Sequence, residues 1–161
     1  MHSFFISFKN SIQLPKKQAV FSLNRIGMDI TVLYLFLLLI IASVPALIEQ
    51  LLHIDAVAVD IHPFFWAIYF FIFYYLIFTT IVFIVVSAIA YIATISARVL
   101  GRKLRYNIMW KMVAFSTTLP FILFTLFSLF FHVSYIFLSV TSIYIFFNIM
   151  MIIRIYPRKK K

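Results

Sequence analysis

The residues with most to offer chemistry sit in one short stretch, where His53, Asp55, Asp60 and His62 form a near-symmetric His-x-Asp…Asp-x-His. Imidazoles and carboxylates suit zinc and similar ions, and a loop of this length folds back far enough to assemble them. The spacing matches no established ligand motif, and polar residues are expected wherever a loop meets water. A solvated loop is therefore the plainer reading of the four. Cysteine is absent, which removes thiolate ligands, disulfides and a cysteine nucleophile together.

Acid–base catalysis would have to draw on four carboxylates, Asp29, Glu49, Asp55 and Asp60. Asp29 stands apart from the other three, so they do not all share a site. The chain carries no G-x-S-x-G, H-E-x-x-H, P-loop or dinucleotide glycine pattern. An enzyme is not expected, and no cofactor is implied.

The elements around these residues are apolar helices. The 161 residues are 65% hydrophobic and 20% aromatic, with 11% charged, far from the composition of a soluble domain. A helix needs roughly 20 apolar residues to cross a bilayer core about 30 Å thick. Spans are predicted over about 30–52, 64–95, 112–130 and 134–154. The last two come from one uncharged run of 42 residues between Lys111 and Arg154. As a single helix that run would reach ~63 Å, so a turn near Phe130–Ser134, with His132 and Ser134 at the interface, fits better.

Charge placement tests this division independently. All fourteen Lys and Arg fall in three groups: Lys9, Lys16, Lys17 and Arg25; then Arg98, Arg102, Lys103, Arg105 and Lys111; then Arg154 and Arg158 to Lys161. Positive charge collects on the cytoplasmic side, so four spans with both termini inside place every basic residue correctly. Trp66 and Tyr69 at one boundary, and Trp110 and Tyr156 at the other, read as aromatic belts. The expected fold class is an all-α integral membrane protein of the cell membrane. Residues 1–28 form a cytoplasmic segment, 29–155 one transmembrane domain and 156–161 a basic tail.

The polar lead before the first span is too long for a cleaved signal. Within it Phe4, Phe5, Phe8 and Ile12 share a helical face, with Ser7, Asn10 and Ser11 away from it. That pattern predicts a short interfacial helix ending near Pro15.

Inside the spans the polar residues are few. Asn148 reads as an interhelical hydrogen bond or a substrate contact. Pro45 and Pro120 free the carbonyls of Ile41 and Ser116, predicting kinks, with Ser116, Thr117 and Thr118 placed to compensate. Ser87, Ala90, Thr94 and Ala97 form a small-residue stripe, a packing seam for this protein's own helices or for a partner subunit. The net charge of +10 fits anionic lipid headgroups better than nucleic acid. Arg98, Arg102, Lys103, Arg105 and Lys111 are the candidate contacts, whether to lipid, to an acidic partner, or as topology signals alone.

Two stretches carry a resemblance to a family. The opening FFISFKNSIQLPKKQAVFSLNRIGMDITVLYLFLLLIIASVP, Phe4 to Pro45, is similar to the start of Gram-positive membrane proteins grouped as domain-of-unknown-function family 1189. Ser11, Pro15, Lys16, Ala19, Phe21, Gly27, Tyr34 and Pro45 match, while Leu23-Asn24-Arg25 stands where the family places Phe-Arg. The tail IYPRKKK, Ile155 to Lys161, resembles the family's basic ending. The resemblance implies a Gram-positive cell-membrane protein and supplies no catalytic residues. Some members are labelled maltodextrin-utilisation proteins, which implies work beside a sugar transporter. The expectation is a non-enzymatic adapter or accessory subunit with a membrane-protein partner. A carrier or channel for a lipid or neutral solute is the alternative.

Overall fold

The computed structural model describes residues 2–52, 62–102, 104–130 and 135–157, and within them every regular element is helical. The chain opens with a helical hairpin of α1 (His2–Ile12) and α2 (Lys17–Asn24). Its turn closes through Gln13 N–H to Asn10 and Lys16 N–H to Gln13. The two helices are tied by Asn10 Nδ2 donating to Ser22 Oγ at 2.8 Å.

Most of the interfacial face expected of α1 points away from the protein, but Phe4 turns inward to pack on Tyr34 with ring centroids 6.3 Å apart. Phe5 is 73% exposed, and Phe8 and Ile12 are exposed beside it, whereas Ser7 and Ser11 are buried. Small residues let backbones approach closely in an apolar solvent, and here they form the inward face. Leu14, Ala19, Val20 and Leu23 continue into the main core, so the segment before residue 28 packs as part of the bundle.

Among the described residues three helices are long and apolar enough to cross a membrane, and a shorter apolar stretch, Val140–Ile155, accompanies them. The first is α3 (Met28–Leu52), which passes Pro45 without interruption. Asp29 lies in its first turn, where the helix dipole favours a carboxylate, and Glu49 lies near its far end. Twenty residues of helix separate the two carboxyl groups by ~30 Å, too far to share chemistry.

The second is continuous from Pro63 to Val99: α4 (Pro63–Tyr69), a π-helical segment (Phe70–Tyr75) and α5 (Leu76–Val99). His62 caps its start, with Nδ1 accepting from Phe64 N–H at 3.2 Å and Pro63 in the first turn. Its far end is closed by a glycine. Gly101 has φ +68°, while Arg102 N–H reaches Ala97 O at 2.8 Å and Gly101 N–H reaches Arg98 O at 3.0 Å. That pair of bonds is a Schellman cap, and the left-handed residue at its heart favours glycine.

The third helix is broken. It consists of α6 (Tyr106–Ser116) and α7 (Thr118–Phe130), parted at Thr117. Pro120 removes the N–H that would bond Ser116 O. Thr117 Oγ1 bonds Ala114 O at 2.7 Å, and Thr118 Oγ1 pairs instead with the Tyr34 hydroxyl of α3 at 2.9 Å. Of the two prolines expected to kink a helix, Pro120 sits at the interruption.

Every residue from Met109 to Thr118 is buried. A helix covered on all sides is the centre of its bundle, and α2, α3, α5 and α8 (Tyr135–Ile155) all pack on α6, with α1 reaching both α6 and α7.

Candidate functional site

The basic residues of the α5–α6 turn separate into two groups. Arg98 and Arg105 are exposed and Arg102 is half-buried. Lys103 lies outside the described residues. Lys111 departs from the expected surface role: only 8% exposed, it points inward and its Nζ donates to Asn24 O at 2.7 Å and Ile26 O at 2.8 Å. Those carbonyls lie at and just beyond the C-terminal end of α2, where a cation also meets the negative end of the helix dipole. Lys111 is a clamp that holds the N-terminal hairpin on α6. Its flanking residues carry what signal there is, because it sits between Trp110 and Met112 in a run that is buried from Met109 to Thr118.

The same end of the bundle gathers α2, the start of α6 and the end of α8. Phe21 packs on Tyr156 with ring centroids 5.6 Å apart, and burial pushes the Tyr156 phenol above its usual range. Lys16, Lys17, Arg25 and Arg154 are exposed around this end. The fold thus collects cations from the hairpin, the α5–α6 turn and α8 at one pole. Trp110 is absent from that surface. It is 4% exposed, its Nε1 donates to Ser87 Oγ at 3.1 Å, and its ring lies 5.8 Å from Phe83.

The small-residue seam is occupied by the protein itself. Ala90, Thr94 and Ala97 are buried in the core cluster's neighbourhood and Ser87 holds the indole of α6. Thr94 Oγ1 is bonded back to Ala90 O at 2.7 Å. Of the two readings of that stripe, contact with the chain's own helices is the one found.

Asn148 is buried, but its Nδ2 reaches only Tyr144 O of its own helix at 3.4 Å, and its Oδ1 has no partner. The expected interhelical bond is therefore not made by the described residues. Ser116 Oγ and Thr79 Oγ1 are likewise buried without partners. Of the metal-ligand candidates, His53, Asp55 and Asp60 lie outside the described residues, and His62 spends its Nδ1 on the helix cap.

A feature with no sequence warning lies where the π-helical segment meets α3. Phe36, Phe71, Tyr75, Leu76, Thr79, Thr80 and Phe83 line an open groove of about 420 Å³. Tyr75 Oη donates across it to Phe36 O at 3.0 Å, and Phe36 faces Phe83 at 5.1 Å. A π turn widens the helix locally and is often found at functional positions. The run FFIFYY carries no glycine or proline to mark it.

Buried hydroxyls, a cationic pole and long apolar helices define the class as an α-helical protein fit for a membrane. Within that class the chain belongs to the family of proteins of unknown function designated DUF1189, whose model matches residues 53–149. The match begins beyond the opening stretch that carries the visible resemblance and takes in the second and third helices. Neither a curated protein nor a solved structure matches the chain.

Proposed function

We propose that this protein is a non-enzymatic accessory subunit of a membrane complex, binding a membrane-protein partner through the α4–α5 helix. The observation that carries this reading is how unevenly the bundle covers its long helices. In the most apolar windows, 44% of α3 and 39% of α6–α7 is buried, against 22% of the Phe64–Val99 helix. The long apolar helices suit a membrane, and of the carboxylates among the described residues, Asp29 and Glu49 stand ~30 Å apart along α3.

In this reading α8, 21 residues and ~31 Å long, completes a four-span domain. The cationic pole faces the cytoplasm with both termini, and its exposed arginines and lysines meet anionic headgroups, at roughly 1 kcal/mol each near the surface. The partner then lies against the aromatic half of α4–α5, away from the seam that α6 already fills.

Crosslinking in intact native membranes, with quantitative mass spectrometry of what co-purifies, tests the proposal. A stoichiometric membrane protein, joined through positions on the Phe64–Val99 helix, is the expected result. Recovery of the protein alone as a monomer overturns it.

The break at Thr117 favours a second reading, a carrier for a lipid or neutral solute. Discontinuous membrane helices are where transporters bind cargo, and Ser116 and Asn148 supply unpartnered polar atoms. Saturable flux in proteoliposomes, reduced by Ser116→Leu or Asn148→Leu, is its prediction. No flux across a broad solute panel removes it.

A further inference from the structure

We infer that the N-terminal hairpin is inserted into one leaflet of an anionic bilayer, with the outer face of α1 among acyl chains and Lys9, Lys16 and Lys17 at the phosphates. The inference goes beyond the accessory-subunit reading, which concerns the α4–α5 helix. It needs only that the long helices cross a bilayer.

The polarity of α1 is inverted relative to a helix packed in water. At ~100° per residue, Phe8, Ile12 and Phe5 fall within about 60° of its surface. All three are exposed. Ser7 and Ser11 lie toward the bundle and are buried, with Ser11 Oγ donating to Ser7 O at 2.6 Å. Turned about its axis, α1 would bury three large side chains and expose two hydroxyls, which is the arrangement that water drives. Serines inside and rings outside match an apolar surrounding, where close backbone approach decides which face packs.

The depth of α1 agrees. Phe4 packs on Tyr34, whose ring meets Phe115 and whose hydroxyl meets Thr118. Tyr34 lies six residues, ~9 Å, into α3, and Thr118 lies seven residues, ~10 Å, beyond Lys111. α1 therefore rests against the long helices themselves, one to two turns in from the cationic pole. An interfacial helix buries its apolar face at a similar depth, about 5–10 Å into the boundary between headgroups and acyl chains.

Charge selects the kind of leaflet. Around α1, Lys9 follows Phe5 by ~40°, so the rings lie between the bundle and the lysine. Lys16 and Lys17 are exposed at the hairpin turn, and no Asp or Glu occurs from His2 to Asn24. Apolar rings bordered by uncompensated cations match a bilayer edge, where acyl chains and phosphates adjoin. A neutral leaflet would leave the three lysines unmatched.

The chain contains no cysteine, so a single introduced one takes a bimane label cleanly. The test uses full-length protein in vesicles of phosphatidylglycerol and phosphatidylcholine. At Phe5→Cys and Phe8→Cys, brominated lipid is expected to quench the label and aqueous iodide to leave it bright. At Gln13→Cys, beside Lys9 on the helix surface, iodide reaches it. Brominated phosphatidylglycerol quenches the Phe8→Cys label about twofold or more beyond brominated phosphatidylcholine at equal fraction. Combining Lys9→Gln, Lys16→Gln and Lys17→Gln removes that preference. Iodide quenching at both ring positions puts α1 in water, and equal quenching by the two lipids leaves no role for charge; either result overturns the inference. So does a label that neither iodide nor a doxyl fatty acid reaches in membrane patches extracted with their native lipid, because another protein then covers the face. None of these outcomes alters the crosslinking expected along the Phe64–Val99 helix, so the accessory reading stands or falls separately.

Discussion

The two halves of the long-helix system solve the problem of polar groups in an apolar solvent in opposite ways. Around α6–α7 most polar atoms are consumed internally, Lys111 on two carbonyls, Trp110 on Ser87, Thr118 on Tyr34 and Thr117 on Ala114, with Ser116 Oγ the exception. Along α4–α5 the surface is open, its aromatic rings stack mainly on one another, and Thr79 is left without a partner. In lipid the hydrophobic effect gives no reason for helices to associate, so packing and hydrogen bonds decide which surfaces close. The difference separates a region built to hold this chain together from one still available to another chain.

The two tryptophans give the largest contrast. Trp110 fills the interface between α5 and α6, and Trp110→Ala removes both its packing and its bond to Ser87. Truncating a buried tryptophan costs about 3–5 kcal/mol. Trp66, half-buried on α4, makes an edge-on contact with Tyr69, and its indole N–H has no partner. Trp66→Ala should cost under ~1 kcal/mol. Reversible unfolding in mixed micelles, run on both variants side by side, measures the difference. Equal losses would dissolve the distinction between the two regions.

Next in size is the clamp. Lys111→Met keeps the aliphatic stem and removes two charge-assisted bonds, at a cost of about 2 kcal/mol. The loss should appear locally, as faster hydrogen exchange of α2 amides with α3 amides little changed. Loosening spread evenly over the bundle would mean that Lys111 acts through the core and not through the hairpin.

These residues also mark how far the sequence could be read. The long helices were legible because charge and apolar length are chemical properties of the chain itself: the run 30–52 lies within Met28–Leu52. Pro120 beside three hydroxyls announced a kink where the helix breaks, although the third helix begins at Tyr106 and not at 112. The seam was legible as a face, though its occupant was not, since a stripe of small residues looks the same whichever backbone lies on it. Lys111 was misplaced because a lysine within a basic run reads as surface; only the burial of its neighbours distinguishes it. Most of the face of α1 was visible, but the small Ser7 and Ser11 point into the bundle and the rings of Phe5 and Phe8 point out of it. The π-helical groove had no signal at all, because FFIFYY satisfies an α-helical pattern equally well.

Gly101 offers a smaller test at the turn joining the two regions. Its φ of +68° costs an alanine about 1 kcal/mol, and no atom lies within 4 Å of an added Cβ. Gly101→Ala should therefore show the conformational cost alone, with the helices on either side unshifted. A much larger loss would mean that the turn, and with it the exposed arginines, is held more tightly than its open surroundings indicate.

The smallest effect, and the one that sharpens the comparison most, belongs to a pair of tyrosines. Tyr34 and Tyr75 each spend a hydroxyl on α3's neighbourhood, one to Thr118 in the buried half and one to Phe36 O in the open half. Tyr34→Phe leaves Thr118 with no partner in a closed core, a loss of about 1 kcal/mol. Tyr75→Phe frees a helix carbonyl that still has its own backbone partner to draw on, so the loss should be nearer ~0.5 kcal/mol. The two variants differ in a second respect. Tyr75→Phe removes an acceptor from the groove and should weaken partner recovery while barely altering stability, whereas Tyr34→Phe should do the reverse. Hydroxyls that trade places in this way, one moving stability and the other moving binding, are what the division between a closed and an open half requires. If both variants changed only stability, α4–α5 would be a lipid-facing surface like any other, and its exposure would carry no meaning for a partner.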